Sequence, residues 1–201
     1  MIKCCIFDMG GVMVRDFNIF PELLPFLGFT VNSFAEIDKR LSGELLRHSR
    51  GEISEEEFWK LYTAITGRTL PPHDEALLGK FFHPKIDEPT AELVGELKAA
   101  GMRVVAGTNV IDAHYRIHHT LGQYAVFDKV YASHLMGIAK PDPAFYEYIL
   151  KAEGIQAADA FFTDDMAGNV SAASGAGLNA FVYTGAAALR ERLRLTGVLP
   201  S

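Results

Sequence analysis

The sequence predicts an α/β protein built on a Rossmann-like doubly wound parallel sheet, with a small all-helical cap inserted after the first strand. Two observations predict the sheet: short apolar segments recur along the chain, and helical patterns separate them. A third observation predicts the cap, because no strand signal lies between Val14 and Arg103. We therefore expect a core of residues 1–15 and 86–201 and a cap of residues 16–85.

The first apolar segment, Ile2 to Phe7, is continuous, as is typical of a strand buried on both faces of a parallel sheet. Four later segments have the same character and predict the remaining strands: Arg103 to Ala106, Lys129 to Ala132, Ala160 to Thr163 and Asn179 to Tyr183. The helical patterns between them include Thr90 to Ala100 and Pro143 to Ala152, each followed by a glycine that ends it. This alternation indicates right-handed crossovers between parallel strands.

The predicted cap contains two helical patterns, Phe34 to Arg47 and Ser54 to Thr66. The second begins with the sequence SEEE, which is a capping box. Phe58, Trp59 and Tyr62 are at helical spacing, and we expect them to form the interior of the cap.

The composition limits the class of protein. Of 201 residues, 49% are hydrophobic and 22% charged, which excludes a disordered or collagen-like chain. The 25 acidic side chains outnumber the 19 basic ones, and no basic run occurs. Because affinity for nucleic acid depends on Lys and Arg that neutralise phosphates, we expect no nucleic-acid partner. No stretch approaches the ~18 apolar residues of a membrane span, so we expect no membrane contact. We also expect a monomer or homodimer.

The only cysteines, Cys4 and Cys5, are neighbours in the first predicted strand. Adjacent residues of a strand point to opposite faces, which disfavours a disulfide between them. We expect two buried free thiols and a cytoplasmic protein.

Ligands of open α/β sheets bind at the carboxyl ends of the strands. The polar residues that follow the predicted strands are Asp8, Thr108, Asn109, Lys140, Asp164 and Asp165. Carboxylates can hold Mg²⁺ through hard oxygen ligands, and one can attack phosphorus. An ammonium and a hydroxyl can stabilise the transferring phosphoryl group. These residue types therefore indicate phosphoryl transfer, with turn or helix capping as the alternative for each Asp taken alone.

Four motifs resemble, in order and spacing, the signature motifs of the haloacid dehalogenase superfamily. They are FDMGGV at 7–12, GTN at 107–109, GIAKPDP at 137–143 and FFTDDMAGNVSAASGAG at 161–177. The resemblance covers essentially the whole chain. Within the superfamily the sequence is most similar to the branch of glucose-1-phosphatase and the phosphatase domain of soluble epoxide hydrolase.

The resemblance implies a role for each matching residue. Asp8 is the nucleophile, Lys140 pairs with it and with the phosphate, and Thr108 and Asn109 bind phosphate. Asp165 coordinates Mg²⁺ directly, and Asp164 acts through water or orients Lys140. Gly10 and Gly11 turn backbone N–H groups toward the phosphate, and Gly10 also gives the metal its carbonyl oxygen. The implied substrate is a small phosphorylated metabolite, with sugar phosphates favoured.

One position departs from the family. Gly10 stands where most phosphatases of this superfamily carry a second Asp, which protonates the leaving group. Such acid–base help is worth about 10²–10⁴ in rate. Two alternatives stay open. One is a 2-haloacid dehalogenase, which needs no metal and against which the adjacent Asp164 and Asp165 argue, and the other is a catalytically weak binding protein, which the missing acid at Gly10 suggests.

Several other side chains have no assigned role. Five histidines are open between substrate contact and packing: His48, His114, His118, His119 and His134. Arg15 is open between reaching a substrate phosphate and lying in solvent at the hinge. Asn169 is expected to serve the start of a helix.

Overall fold

The computed structural model describes residues 1–73 and 76–199. The strands are Cys4–Phe7 (β1), Val14–Arg15 (β2), Lys85–Ile86 (β3), Arg103–Thr108 (β4), Lys129–Ala132 (β5), Ala160–Asp164 (β6) and Asn179–Val182 (β7). The helices are Phe20–Phe26 (α1), Phe34–Ile37 (α2), Lys39–Ser49 (α3), Glu55–Thr66 (α4), Leu77–Lys80 (α5), Glu88–Ala99 (α6), Asp112–Thr120 (α7), Ser133–Met136 (α8), Pro143–Glu153 (α9), Ala167–Gly175 (α10) and Ala186–Leu195 (α11), with a short 3-10 helix at Ala157–Asp159. Within these described ranges, no helix has the length and apolar character needed to cross a membrane.

Five strands form a parallel sheet in the order β5-β4-β1-β6-β7. The central strand β1 pairs with β4 on one side and β6 on the other, and its last residue, Phe7, lies opposite Ala106 and Thr163. The carboxyl ends of β1, β4 and β6 therefore share one edge of the sheet. The predicted α/β class and all five predicted strands of this sheet are confirmed.

The two faces of β1 contribute to separate apolar clusters, since successive side chains of a strand alternate in direction. Cys5 and Phe7 pack in the cluster that includes residues of α6 and α11. Cys4 and Ile6 pack in the cluster that includes residues of α9 and α10. Both cysteines are free and buried, as predicted, and burial raises the pKa of Cys4 to about 12. Cys4 is therefore a protonated thiol at neutral pH.

Helices α1 to α5 lie between β2 and β3 and are called here the helical insert. Its interior is aromatic: Phe58 packs on Phe34 and on Trp59, with ring centroids 5.4 and 5.0 Å apart. The predicted capping box is present at the start of α4, where Ser54 and Glu57 exchange hydrogen bonds. β2 and β3, the strands on either side of the insert in the chain, pair antiparallel. The division into a core of residues 1–15 and 86–201 and a cap of residues 16–85 stays a prediction.

The structure differs from the sequence prediction at two places. β3 lies in the stretch where no strand was expected, because a two-residue strand formed by pairing with β2 leaves no periodic signal. The single helix predicted over Phe34 to Arg47 is two helices, α2 and α3. Asp38 separates them with extended backbone, and its side chain accepts a hydrogen bond of 2.9 Å from the N–H of Arg40. Asp38 thus caps α3, a role for which Asp is favoured.

Candidate active site

The ammonium of Lys140 lies between two carboxylates at the carboxyl edge of the sheet. Its Nζ is 2.7 Å from Oδ1 of Asp8 and 2.6 Å from Oδ2 of Asp164. The side chains of Lys140 and Asp164 are 1% and 0% exposed, whereas that of Asp8 is 12% exposed. Asp8 is therefore the member of the trio that a ligand reaches.

Burial and charge act against each other in this trio. Burial raises the pKa of Asp8 to about 6, although the neighbouring Lys140 lowers it. Burial also opposes the charge of Lys140, but Asp8 and Asp164 outweigh it and hold the pKa of Lys140 above its ordinary value. Lys140 is thus an ammonium at neutral pH and stabilises the ionised form of Asp8.

Asp165 brings a third carboxylate to the same place. One oxygen from each of Asp8, Asp164 and Asp165 lies within 4.8 Å of the others. Mg²⁺ binds oxygens at about 2.0–2.1 Å in octahedral geometry, so its ligand oxygens are separated by at most about 4.2 Å. A few tenths of an ångström of side-chain movement brings the three oxygens to that spacing. The hard oxygen donors, and three negative charges against one ammonium, fit a divalent cation.

Asp164 is fixed by the start of α10. Its Oδ1 accepts from the N–H of Met166 at 2.8 Å, and Nδ2 of Asn169 lies 3.0 Å from both carboxylate oxygens. Asn169 thus positions the carboxylate that holds Lys140, a role that sequence reasoning missed. The available signal was its place five residues after Asp164, in the first turn of the helix that follows the strand.

The two glycines of the turn after β1 behave differently. Gly11 has a φ of 75°, and a Cβ there would lie 2.1 Å from Oδ2 of Asp165, so glycine is required. Its N–H donates to the carbonyl of Val14 at 3.0 Å. The N–H of Gly11 is therefore hydrogen-bonded within the turn, contrary to the expectation that it faces a phosphate. Gly10 lies next to the cavity beside Asp8, and a Cβ on it would lie 3.1 Å from the ring of Phe17.

Arg15 holds the turn in place. Its guanidinium donates to the carbonyl of Gly11, to Oδ2 of Asp87 at 3.0 Å and to the hydroxyl of Tyr183 at 3.1 Å. Of the two alternatives left open by the sequence, neither describes it, because the side chain is bound by groups of the protein itself.

Thr108 and Asn109 follow β4 and border the same cavity. Thr108 is buried. The side-chain amide of Asn109 pairs with the main chain of Lys140: Oδ1 accepts from its N–H at 2.8 Å, and Nδ2 donates to its carbonyl at 2.9 Å. Asn109 therefore positions Lys140, and its predicted contact with phosphate stays a prediction.

A cavity of about 390 Å³ lies between this edge of the sheet and the helical insert. His114 and His118 line it, whereas His48 and His134 line a separate cleft. Nε2 of His114 lies 2.8 Å from the carbonyl of Leu78, and burial lowers the pKa of His114 to about 4. Two of the five histidines considered from the sequence thus reach the cavity beside Asp8, and His114 is neutral there at pH 7.

The insert is seated on the core by Ser133, a residue that the sequence did not single out. Its hydroxyl donates to the carbonyl of Ser49 in α3 at 2.5 Å and accepts from the N–H of Val110 at 2.9 Å. Gly51, in the insert, lies against the main chain of His134, where a Cβ on it would be 2.4 Å from the carbonyl oxygen. These contacts set the position of the insert over the strand ends.

Comparison with known proteins identifies the family. A model of a hydrolase family, haloacid dehalogenase-like hydrolase, matches residues 2–177, a range that contains Asp8, Lys140, Asp164 and Asp165. The chain is 34% identical over 198 residues to the sesquiterpene phosphatase astK of Aspergillus oryzae, covering 96% of this chain and 95% of that protein. It is 26% identical over 207 residues to the D-ribitol-5-phosphate phosphatase of Bacteroides thetaiotaomicron, covering 96% and 97%.

A solved structure supports the fold. The HAD family enzyme BT-2542 of Bacteroides thetaiotaomicron, in complex with magnesium and inorganic phosphate, matches with a TM-score of 0.69 at 23% identity, covering 90% of this chain and 94% of its own. The family match spans most of the chain, and the sheet carries the site at the edge that the four motifs predict. This protein belongs to the haloacid dehalogenase-like hydrolase family.

Proposed function

We propose that this hydrolase is a Mg²⁺-dependent phosphatase that cleaves small phosphate monoesters through an aspartyl-phosphate on Asp8. The observation that carries the proposal is the bridge of Lys140 between Asp8 and Asp164, with Asp165 close enough to share one cation. The relatives named as phosphatases support the reaction, and the magnesium and phosphate complex of BT-2542 supports the cofactor.

The reaction consists of two displacements at phosphorus. In the first, a carboxylate oxygen of Asp8 bonds to phosphorus, and the bond between phosphorus and the ester oxygen breaks, so the alcohol leaves with that electron pair and takes a proton from water. In the second, water attacks phosphorus, the bond to Asp8 breaks, and inorganic phosphate leaves. Asp8 ends as the carboxylate it was at the start.

The residues around Asp8 stabilise charge in both steps. Asp8, Asp165 and the carbonyl of Gly10 would hold Mg²⁺, with Asp164 acting through water or orienting Lys140, and the ion would neutralise phosphoryl oxygens as a Lewis acid. Lys140 places a second positive charge beside the same oxygens, and the hydroxyl of Thr108 and the N–H of Gly10 donate to them. Fixed charges and donors of this kind are the main source of catalysis in phosphoryl transfer.

The carboxylates beyond Asp8 favour a phosphatase over a dehalogenase. A dehalogenase of this family uses the Asp nucleophile without a metal, and it gains nothing from Asp165 beside an already paired Asp164. Burial raises the pKa of Asp165, and the charge of Asp164 adds to this, so the pair is costly without a cation. Chloride release from a 2-chloro acid, with and without EDTA, separates the two reactions.

Hydrolysis of p-nitrophenyl phosphate tests the proposal. We expect turnover with Mg²⁺, none with EDTA, and none after Asp8→Asn. Asp112→Asn is the matched control, because that carboxylate is about half exposed and pairs with Arg116 at the surface. Metal-independent turnover, or full activity of Asp8→Asn, would contradict the proposal, and no turnover at all would favour the binding-protein alternative.

A further inference from the structure

We propose that the alcohol part of the substrate is apolar, a terpenoid or long alkyl group, and that it binds in the cavity between the strand ends and the helical insert. The inference rests on the proposed phosphatase function and names the class of ester. It is carried by what lines the cavity and by how the few polar groups there are already bonded.

The cavity begins at the reacting centre. Met9 and Gly10, which directly follow Asp8, line it together with Thr108 and Asn109. Its volume of about 390 Å³ is in the range of pockets for small ligands, which is roughly 300–1,000 Å³. A phosphate bound at Asp8 therefore has its ester group directed into this space.

The wall contributed by the insert is apolar and aromatic. It includes Phe17, Ile19, Phe20, Leu45 and Phe82. Among the described residues that line the cavity, none is Lys, Arg, Asp or Glu. Burial lowers the pKa of both His114 and His118, so these rings add no positive charge at neutral pH. An uncharged apolar wall favours burial of hydrocarbon.

The polar side chains at the wall other than Thr108, whose hydroxyl the proposed reaction assigns to the phosphate, already have hydrogen bonds within the protein. The bonds are those of Asn109 with Lys140, of Asn18 Oδ1 with the N–H of Phe20 (3.1 Å), of Ser49 Oγ with the carbonyl of Leu46 (2.9 Å), of His114 with the carbonyl of Leu78, and of His118 Nδ1 with Oε1 of Gln123 (2.5 Å). The hydroxyls of a sugar would lose water here and gain few partners. An unpaired buried hydroxyl is disfavoured, and the site therefore selects against polyols.

Phe17 adds an apolar surface where the ester bond lies. Its ring packs against the turn so closely that it occupies the space beside Gly10 into which a side chain would extend. The opposite part of the side chain is open, since 38% of the residue is exposed. An apolar alcohol in the cavity would cover that exposed face.

A substrate series tests the inference on the unmodified protein with Mg²⁺. We compare kcat/KM for methyl, butyl, hexyl and geranyl phosphate with the values for glucose 1-phosphate and glucose 6-phosphate. Each methylene that becomes buried should raise kcat/KM about fourfold until the cavity is filled. Geranyl phosphate should exceed both sugar phosphates by at least about 100-fold. Sugar phosphates that equal or exceed geranyl phosphate overturn the inference.

The same assay keeps the two proposals apart. If p-nitrophenyl phosphate is hydrolysed but kcat/KM is the same for all esters of the series, the apolar substrate class is wrong and the proposed phosphatase activity is retained. If p-nitrophenyl phosphate is not hydrolysed, the phosphatase itself is wrong. Calorimetric titration of Asp8→Asn, which lacks the nucleophile, then reports binding alone, and equal affinity for geranyl phosphate and glucose 1-phosphate also overturns the inference.

Three variants at two neighbouring positions of α3 locate the binding surface. Leu45 lines the cavity, and the adjacent Leu46 does not and is exposed. Leu45→Asn should lower the ratio of kcat/KM for geranyl to methyl phosphate by about tenfold, Leu45→Met should keep the ratio, and Leu46→Asn should leave it unchanged. A ratio that falls equally in both Asn variants, or in neither, contradicts the assignment.

Discussion

The side-chain amide of Asn109 forms hydrogen bonds with both main-chain polar groups of Lys140. Oδ1 accepts from the N–H at 2.8 Å, and Nδ2 donates to the carbonyl at 2.9 Å. The end of β4 is thereby joined to the loop before α9, and Lys140 is held where its ammonium meets Asp8. The position of the positive charge in the site therefore depends on the side-chain amide of the residue that follows β4.

Asn109→Ala removes this pair of hydrogen bonds. We expect kcat to fall on the order of 100-fold, because a shift of about 1 Å in a catalytic group has an effect of that size. Asn179→Ala is the control, since Nδ2 of Asn179 also donates to a carbonyl, that of Ala158 at 2.9 Å, at the start of β7. Both variants should lose similar thermal stability, and only Asn109→Ala should lose turnover. Equal turnover in the two would contradict a positioning role.

Gly11→Ala places a methyl group against Asp165. Since that Cβ would be 2.1 Å from Oδ2, the carboxylate must move, and the Mg²⁺ concentration for half-maximal activity should rise roughly 10–100-fold. Gly67→Ala is the matched control, because Gly67 has a φ of 70° and nothing lies within 4 Å of the added Cβ. Both variants adopt a left-handed conformation, which costs about 1–2 kcal/mol, but Gly67→Ala should keep the normal Mg²⁺ dependence. A normal Mg²⁺ dependence in Gly11→Ala would place the metal elsewhere.

His114 makes the stability of the fold depend on pH. Burial lowers its pKa from 6.5 to about 4, so between these values the unfolded chain binds a proton that the folded chain does not. Neutral His114 therefore lets the folded protein keep its full free energy of unfolding above pH 6.5. As the pH falls, the free energy of unfolding decreases, by about 2 kcal/mol between pH 7 and pH 5. Urea denaturation of the wild type and of His114→Gln, whose amide can replace the donor to Leu78, should differ in pH dependence by this amount. Parallel pH profiles would contradict the shift.

Gly10→Asp introduces a carboxylic acid beside the leaving group. The ring of Phe17 is 3.1 Å from the new Cβ, but it is partly exposed and is able to rotate away. We expect alkyl phosphates to be hydrolysed faster, toward the roughly 10²–10⁴ that general acid catalysis provides, with little change for p-nitrophenyl phosphate, whose leaving group needs no proton. The double variant Gly10→Asp, Phe17→Ala should show at least the same gain. An equal effect on both classes of ester would rule out acid catalysis by the new side chain.

The sequence predicts the core fold and the charged residues of the site well, because both leave local signals. Buried parallel strands are continuous apolar runs, and the candidate site residues Asp8, Asn109 and Asp165 directly follow them. β3 and the interruption of a helix at Asp38 were missed, since a two-residue pairing has no periodicity and a capping Asp resembles any surface acid.

The missed parts of the site depend on partners distant in the chain. Arg15 binds Asp87 and Tyr183, Asn109 binds Lys140, and Ser133 binds Ser49, and no spacing rule connects those pairs. The hydrogen-bond partner of the Gly11 N–H also could not be predicted from the sequence, since glycine in a turn is compatible with either direction of the amide. The apolar lining of the cavity is assembled from α1, α3 and α5 together with the loops beside them, so only the folded chain reveals it.

The most direct test of the central claim is to trap the phosphoryl group on Asp8. The protein is mixed with p-nitrophenyl phosphate and Mg²⁺, quenched in acid during turnover and reduced with borohydride, which converts an aspartyl-phosphate to homoserine. Peptide mass spectrometry should find homoserine at position 8 in the wild type, and none with EDTA or in Asp8→Asn. Phosphate release with no modification at Asp8, or with the modification at another carboxylate, would contradict the account.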